Sequence, residues 1–334
     1  MKPRIRKCED RHGRVNNPLS PRGVTAITTA VWASAGRWSA GLQAAWAGSP
    51  VGVPTSGVSL VLTEQPATEQ FGQVVGSFTF PNPPIPPTPP YHNVVGIAHD
   101  GDGHLYCSDI TVPQLFLVNP TEPTAQLIDG PYDVQAHSAI PVGITTDGNH
   151  VYVGDTTGDD IDVYDLDGNF VRSFSVAAQT GFPEGIAFNR ITRHLDVVDG
   201  QGGLEVHEFT LDGSFVQTFS IVPTSPHGLA SDHGRCSYWL YDGGPSGTDT
   251  VRHLHLDFVE MESFPGTAAA GFGLGEGLAV IRDHLYVISA PSGWPTVVVF
   301  DVSDAMLSPQ IALCRIFADG FESGDWSVWS SATP

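Results

Sequence analysis

The chain is predicted to fold as an all-β propeller on three observations: one unit recurs five times, the copies are evenly spaced, and apolar residues alternate within each copy. The copies read VVGIAHDGDGHLYCSD, PVGITTDGNHVYVGD, PEGIAFNRITRHLDVVD, PHGLASDHGRCSYWLYD and GEGLAVIRDHLYVIS. Their anchor glycines, Gly96, Gly143, Gly185, Gly228 and Gly277, stand 47, 42, 43 and 49 residues apart. That is the period of one four-stranded blade.

Within each copy the glycine opens an inner strand, a polar turn follows, and a second strand usually ends on aspartate. The missing Cβ lets inner strands crowd around a central channel. Two outer strands are expected next, as in Ile161, Val163, Tyr164 and then Phe170, Val171, Phe174, repeated at Leu204, Val206, Phe209 and Phe215, Val216, Phe219. Asp167-Gly168 and Asp212-Gly213 lie between those strands and suit tight hairpin turns. Residues 94–307 are therefore read as the propeller. Residues 57–80, with GVSLVLTE and VVGSFTF, look like outer strands without an inner pair. The last blade is expected to take a strand from VVGSFTF or from IALCRIF, which would close the ring and remove its exposed edges.

The flanks differ from the repeats. Residues 1–50 begin with the basic stretch MKPRIRKCEDRHGR, followed by the mildly apolar Val24 to Ala35. This reads as a secretory signal with an overlong basic region, against two alternatives, a blade opening at Pro21-Arg22-Gly23 and an unstructured start. Residues 51–93 include Pro81 to Pro90, seven prolines in ten residues, expected as a stiff polyproline II spacer. Residues 308–334 hold a last strand and the tail IFADGFESGDWSVWSSATP. No apolar run is long enough to cross a bilayer as a helix.

Composition excludes some functions. The 334 residues include 37 glycines and 27 prolines, with 15 basic residues against 36 acidic. Eight of the basic residues fall in the first 40 positions, and no lysine follows Lys7. The remaining acidic surface repels phosphate backbones and anionic membranes, so nucleic acid is not an expected partner. Four cysteines, Cys8, Cys107, Cys236 and Cys314, form no C-x-x-C site. Cys107 is read as a small buried hydrophobe.

The P-x-G-[IL] openings and the L-Y-V-x-D second strand resemble NHL-type propellers and, more loosely, the gluconolactonase and regucalcin-like group. The likeness covers residues 94 to 304. It implies six blades, with five as the alternative, and a role in binding. The tail resembles a D-G-F-E-S-G-D tag at the C-termini of exported bacterial proteins, which implies a secreted or periplasmic location.

Ring geometry picks out the chemistry-bearing positions. The loop entering each inner strand and the loop leaving each second strand open on one face, so the channel mouth is expected to collect the residues before the glycines, Val95, Val142, Glu184, His227 and Glu276. It should also collect the second-strand ends, Asp109, Asp155, Asp199, Asp242 and, breaking the pattern, Ser289 and Ala290. Aspartates there also serve as turn caps through backbone N–H groups. Glu184, His227 and Glu276 form the sharpest candidate site, with Asp155, Asp199 and Asp242 beside them. The gluconolactonase-like resemblance implies a divalent cation in these slots, although Glu184 and His227 stand where that group has Asn and Asp. A mixed carboxylate and imidazole set suits zinc or manganese as readily as calcium.

Weaker candidates are His253 and His255, expected on an outer-strand surface, and Asp165-Leu-Asp167-Gly168, which starts like a calcium loop but fits a hairpin. The glycines at 271, 273, 275 and 277 open a strand, not a phosphate-binding helix. Trp239 is expected to pack between blades, and no G-x-S-x-G motif occurs. The expectation is a secreted, acidic, monomeric binding scaffold for a protein, peptide or glycan. The alternative is a metal-dependent lactonase or esterase.

Overall fold

The five glycine-led openings become the five innermost strands of a ring. A computed structural model of the chain describes residues 71–80, 93–200, 203–222, 225–244, 249–289, 295–309 and 311. The chain divides into two units, Met1–Leu62 and Thr63–Pro334, and every described residue belongs to the second.

Each blade is a four-stranded antiparallel sheet. The first holds β2 (Val94–His99), β3 (Leu105–Asp109), β4 (Gln114–Asn119) and β5 (Gln126–Asp133). The second holds β6 (Pro141–Thr146), β7 (His150–Asp155), β8 (Asp160–Asp165) and β9 (Phe170–Ser175). In the third are β10 (Pro183–Asn189), β11 (His194–Asp199), β12 (Glu205–Thr210) and β13 (Phe215–Ser220). The fourth is built from β14 (Pro226–Asp232), β15 (Ser237–Asp242), β16 (Thr250–Leu254) and β17 (Glu260–Pro265). The fifth combines β18 (Gly275–Ile281), β19 (His284–Ser289) and β20 (Thr296–Asp301) with β1 (Val74–Thr79), the most N-terminal strand among the described residues.

The resemblance implied six blades; the ring has five. β18 packs directly against β2, so no gap remains for a sixth sheet. Of the two expected closing strands, VVGSFTF supplies β1, while most of IALCRIF lies outside the described residues. β1 pairs with β20 from Val74↔Phe300 to Thr79↔Thr296 and seats Phe78 in the core with 2% of its surface exposed. Burying such a ring contributes about 1.5–3 kcal/mol, so closure rests on side-chain burial as well as on ladder hydrogen bonds.

The glycines do what their lack of a Cβ allows. A Cβ on Gly96 would collide with the backbone carbonyl of Val142; on Gly143, with that of Glu184; on Gly185, with that of His227; on Gly228, with that of Glu276; on Gly277, with that of Val95. Each anchor thus lies against the next blade's pre-anchor residue, and the sequence of contacts closes on itself. Between blades, Trp239 is fully buried against Phe71 and Phe264, as expected.

Some expectations change. His253 does not sit on an outer surface: β16 is an interior strand, and the imidazole is fully buried, stacked on Trp239 at 4.0 Å. The Asp165 segment is a hairpin, its Oδ1 accepting from the Asp167 and Asn169 amides while Gly168 takes φ 77°. Cys107 is a buried free thiol, and Cys236 is disulfide-bonded. The N-terminal basic segment, the proline arm, Ala290 and the C-terminal tag lie outside the described residues.

Candidate functional site

At the mouth, β10, β14 and β18 bring Glu184, His227 and Glu276 together. Nδ1 of His227 is hydrogen-bonded to Oε1 of Glu184 and lies 3.5 Å from Oε2 of Glu276, while Nε2 faces the Ser225 hydroxyl at 3.3 Å. One potential ligand atom from each of the three residues falls within 4.8 Å of the others. Among the described residues this is the one trio of histidine, cysteine and acidic side chains so arranged. The residues are 43 and 49 positions apart in sequence, and only ring closure unites them.

Burial and charge set the protonation of the trio. Burial alone would lower the His227 pKa, but the hydrogen bond to Glu184 and the charges of Glu184, Glu276 and Asp242 outweigh it, so the net shift is upward. Glu276 is pushed up to about 7, chiefly by burial, with the Glu184 charge adding to the rise and His227 opposing it. The cluster therefore pairs an imidazole whose charged form is favoured with a Glu276 carboxyl near its midpoint at neutral pH. It can accept a cationic group, exchange a proton with a bound one, or hold a divalent cation through two oxygens and a nitrogen. A cation taking Nδ1 would have to replace the hydrogen bond to Glu184.

Two glycines make room for these side chains. A Cβ on Gly200 would collide with the Glu184 carboxylate, and one on Gly243 would lie 2.5 Å from Nε2 of His227. The sequence carries this signal: Asp-Gly ends the second strand where the mouth slot holds Glu184 or His227, whereas Asp109-Ile110 and Asp155-Thr156 occur where it holds valine.

The aspartates at the second-strand ends face other partners. Asp109 Oδ1 accepts from the Thr111 amide at 2.8 Å. Asp155 Oδ1 accepts from the amides of Ile140 and Thr157, at 3.1 and 3.0 Å. Asp242 Oδ1 accepts from the Ser225 amide at 2.9 Å, and its Oδ2 accepts from Arg252 Nη2 at 2.7 Å. Asp155 and Asp242 are buried and Asp199 half-buried. Asp155 and Asp242 fasten each second-strand end to the loop entering the same blade, a structural task that positions the mouth. His253 contacts Glu262 and Ser237, at 2.8 and 2.7 Å, and joins no metal-like trio.

Below the trio the channel is blocked. Ile97, Ile144, Ile186, Leu229 and Leu278, each the residue after an anchor glycine, are buried and line the hub, where the free space is about 10 Å³. That is room for one water at most.

The fold and mouth together define a five-bladed β-propeller with an acidic and imidazole cluster at one end of a plugged channel. No protein-family model matches the chain, and no curated protein matches it. Among solved structures it is similar to the glutaminyl cyclase of Myxococcus xanthus, with a TM-score of 0.51 and 14% identity over 69% of this chain and 95% of that one. It is also similar to a chain of a nidogen/laminin complex (TM-score 0.45, 17% identity, 65% of this chain and 80% of that one). A third similarity is to a virginiamycin B lyase from Staphylococcus aureus bound to quinupristin (TM-score 0.41, 15% identity, 64% and 68%). The first of these supports the propeller fold.

Proposed function

We propose that this chain is an exported binding propeller that engages a protein, peptide or glycan at its channel mouth, with Glu184, His227 and Glu276 meeting a cationic or hydrogen-bonding group of the partner. The observation that carries the proposal is the convergence of three polar side chains from successive blades over a plugged hub. A small-molecule enzyme pocket usually encloses several hundred cubic ångströms. The hub space here is far smaller, which favours a ligand resting on the mouth. The likeness of the P-x-G-[IL] openings to NHL-type repeats supports a binding role, and the D-G-F-E-S-G-D tail supports export. The test is to screen peptide and glycan arrays with the wild type and with Glu184→Gln and His227→Gln. Ligands retained by the wild type and lost by both variants, at unchanged melting temperature, support the proposal. Ligands bound equally by all three refute it.

One observation favours a second reading as a metal-dependent lactonase or esterase: three ligand-type atoms within 4.8 Å. A divalent cation held there would supply an activated water for hydrolysis. Glu276, with its pKa near 7, is suited to take up a proton. Elemental analysis together with lactone hydrolysis by Glu184→Ala and His227→Ala separates the readings. Bound metal with mutation-sensitive turnover supports the enzyme, and a metal-free, inert protein rules it out.

A further inference from the structure

The far end of the channel is built differently. All five openings continue past the glycine as G-[IL]-[AT]: Ile97-Ala98, Ile144-Thr145, Ile186-Ala187, Leu229-Ala230 and Leu278-Ala279. The aliphatic member plugs the hub, and the small member after it lets the channel widen toward the inner hairpins. A cavity of about 270 Å³ results, floored by those five aliphatic residues and rimmed by His99, Arg190, His233 and Arg282. The four rim residues come from four different blades.

The rim's charge is unusual for this chain, in which acids outnumber bases 36 to 15. Its two carboxylates are already engaged. Asp100 accepts from the Asp102 and His104 amides and contacts His104 Nδ1, at 2.7, 2.9 and 2.8 Å. Asp232 accepts from the Arg235 amide, Arg235 Nη1 and Trp239 Nε1, at 3.0, 3.1 and 3.1 Å. By contrast, the guanidinium groups of Arg190 and Arg282 form no ion pair among the described residues, whereas Arg235 and Arg252 each form two. Arg190 extends from the third blade toward the first: its Nη2 lies 3.9 Å from where a Cβ on Gly101 would be. Burial, aided by the Arg190 charge, lowers the pKa of His99 and takes that of His233 down to about 3. Both imidazoles are thus neutral at physiological pH. His99 Nε2 accepts from the Gly103 amide, which leaves Nδ1 as its N–H.

We propose that this cavity is a second binding site, separated by the aliphatic plug from the acidic mouth, that takes a small organic anion: an apolar body on the aliphatic floor and a carboxylate at the arginine rim. A floor of five aliphatic side chains favours a hydrocarbon body. Two unpaired guanidiniums favour a planar anion over a neutral or cationic head. The plug makes the site independent of the mouth.

Isothermal titration of the full chain with octanoate tests the proposal. Saturable binding is expected, weaker by about tenfold or more for octan-1-ol and for octylammonium. The double variant Arg190→Gln/Arg282→Gln should lose about tenfold or more in octanoate affinity. Both arginines are exposed, so the fold should tolerate the change. Ser231→Phe, which adds bulk at the cavity wall, should abolish binding, and Glu184→Gln should leave it unchanged. Melting temperatures check the folding of each variant. Absence of octanoate binding, equal binding of octan-1-ol, or undiminished affinity in the double variant overturns the proposal.

Discussion

Replacing Gly143 by alanine tests the hub contact directly. The new Cβ would collide with the Glu184 carbonyl oxygen and lie 3.0 Å from the Glu184 carbonyl carbon and 3.1 Å from Cγ1 of Ile186. The nearest of these atoms are backbone, held in turn by the next blade, so no flexible side chain can swing away. Forcing an extra carbon into such a site costs about 1–3 kcal/mol, and loss of glycine's freedom in the unfolded chain returns about 0.4–1 kcal/mol. The net loss is about 1–2 kcal/mol, or a fall of about 2–8 °C in Tm for a domain of this size. Gly181 is the control: nothing lies within 4 Å of its would-be Cβ and its φ is not positive. Gly181→Ala should therefore leave Tm unchanged or raise it slightly. Differential scanning calorimetry of the two variants under one condition decides the matter. A Gly143→Ala protein that melts with or above Gly181→Ala would refute the closely packed hub.

Other consequences concern buried charge. Asp196 is fully buried, accepts a hydrogen bond from the Tyr238 hydroxyl at 2.5 Å, and has its pKa raised by burial from 3.8 to about 7. The folded state keeps a proton that the unfolded chain releases, so stability falls as pH rises from about 4 to about 7, by at most about 4 kcal/mol. Asp196→Asn should flatten that slope, stabilising the protein at about pH 8 and much less at about pH 4, as read by urea denaturation. Arg235 links the fourth blade to the fifth, donating to Asp232 Oδ2, the Arg282 carbonyl, Asp283 Oδ1 and the Val302 carbonyl at 3.1, 3.0, 2.7 and 2.8 Å. Arg235→Met strands the buried Asp232 carboxylate and should cost about 3–5 kcal/mol, measured as a lower urea midpoint.

The repeating parts of the molecule were legible because one physical demand recurs in each blade. Gly96, Gly143, Gly185, Gly228 and Gly277 meet the same steric limit, and the three mouth residues followed from counting back one position from each. Blade number was not legible, because β1 lies 217 residues before its partner strand and carries no glycine-led signature of its own. His253 was misplaced because strand periodicity gives a face, not whether another blade covers it. The arginine-rimmed cavity escaped notice for a related reason. Arg190, His233 and Arg282 each stand five residues after an anchor glycine and His99 three after one, so the repeat aligns three of the four, but the polar composition of a turn does not tell that it rims a cavity. The aspartates of the second strands look alike in sequence, yet Asp242 also engages Arg252, a partner found in one blade only.

The central claim is that ring closure gathers side chains distant in sequence into one electrostatic unit at the mouth. An NMR titration of the His227 imidazole, in the wild type and in Glu184→Gln, tests it most directly. In the wild type the pKa should lie above the ordinary value of 6.5, and removing the Glu184 charge and hydrogen bond should bring it down, because burial pulls it in that direction. A His227 that titrates at its ordinary value and ignores the loss of Glu184 would contradict the account.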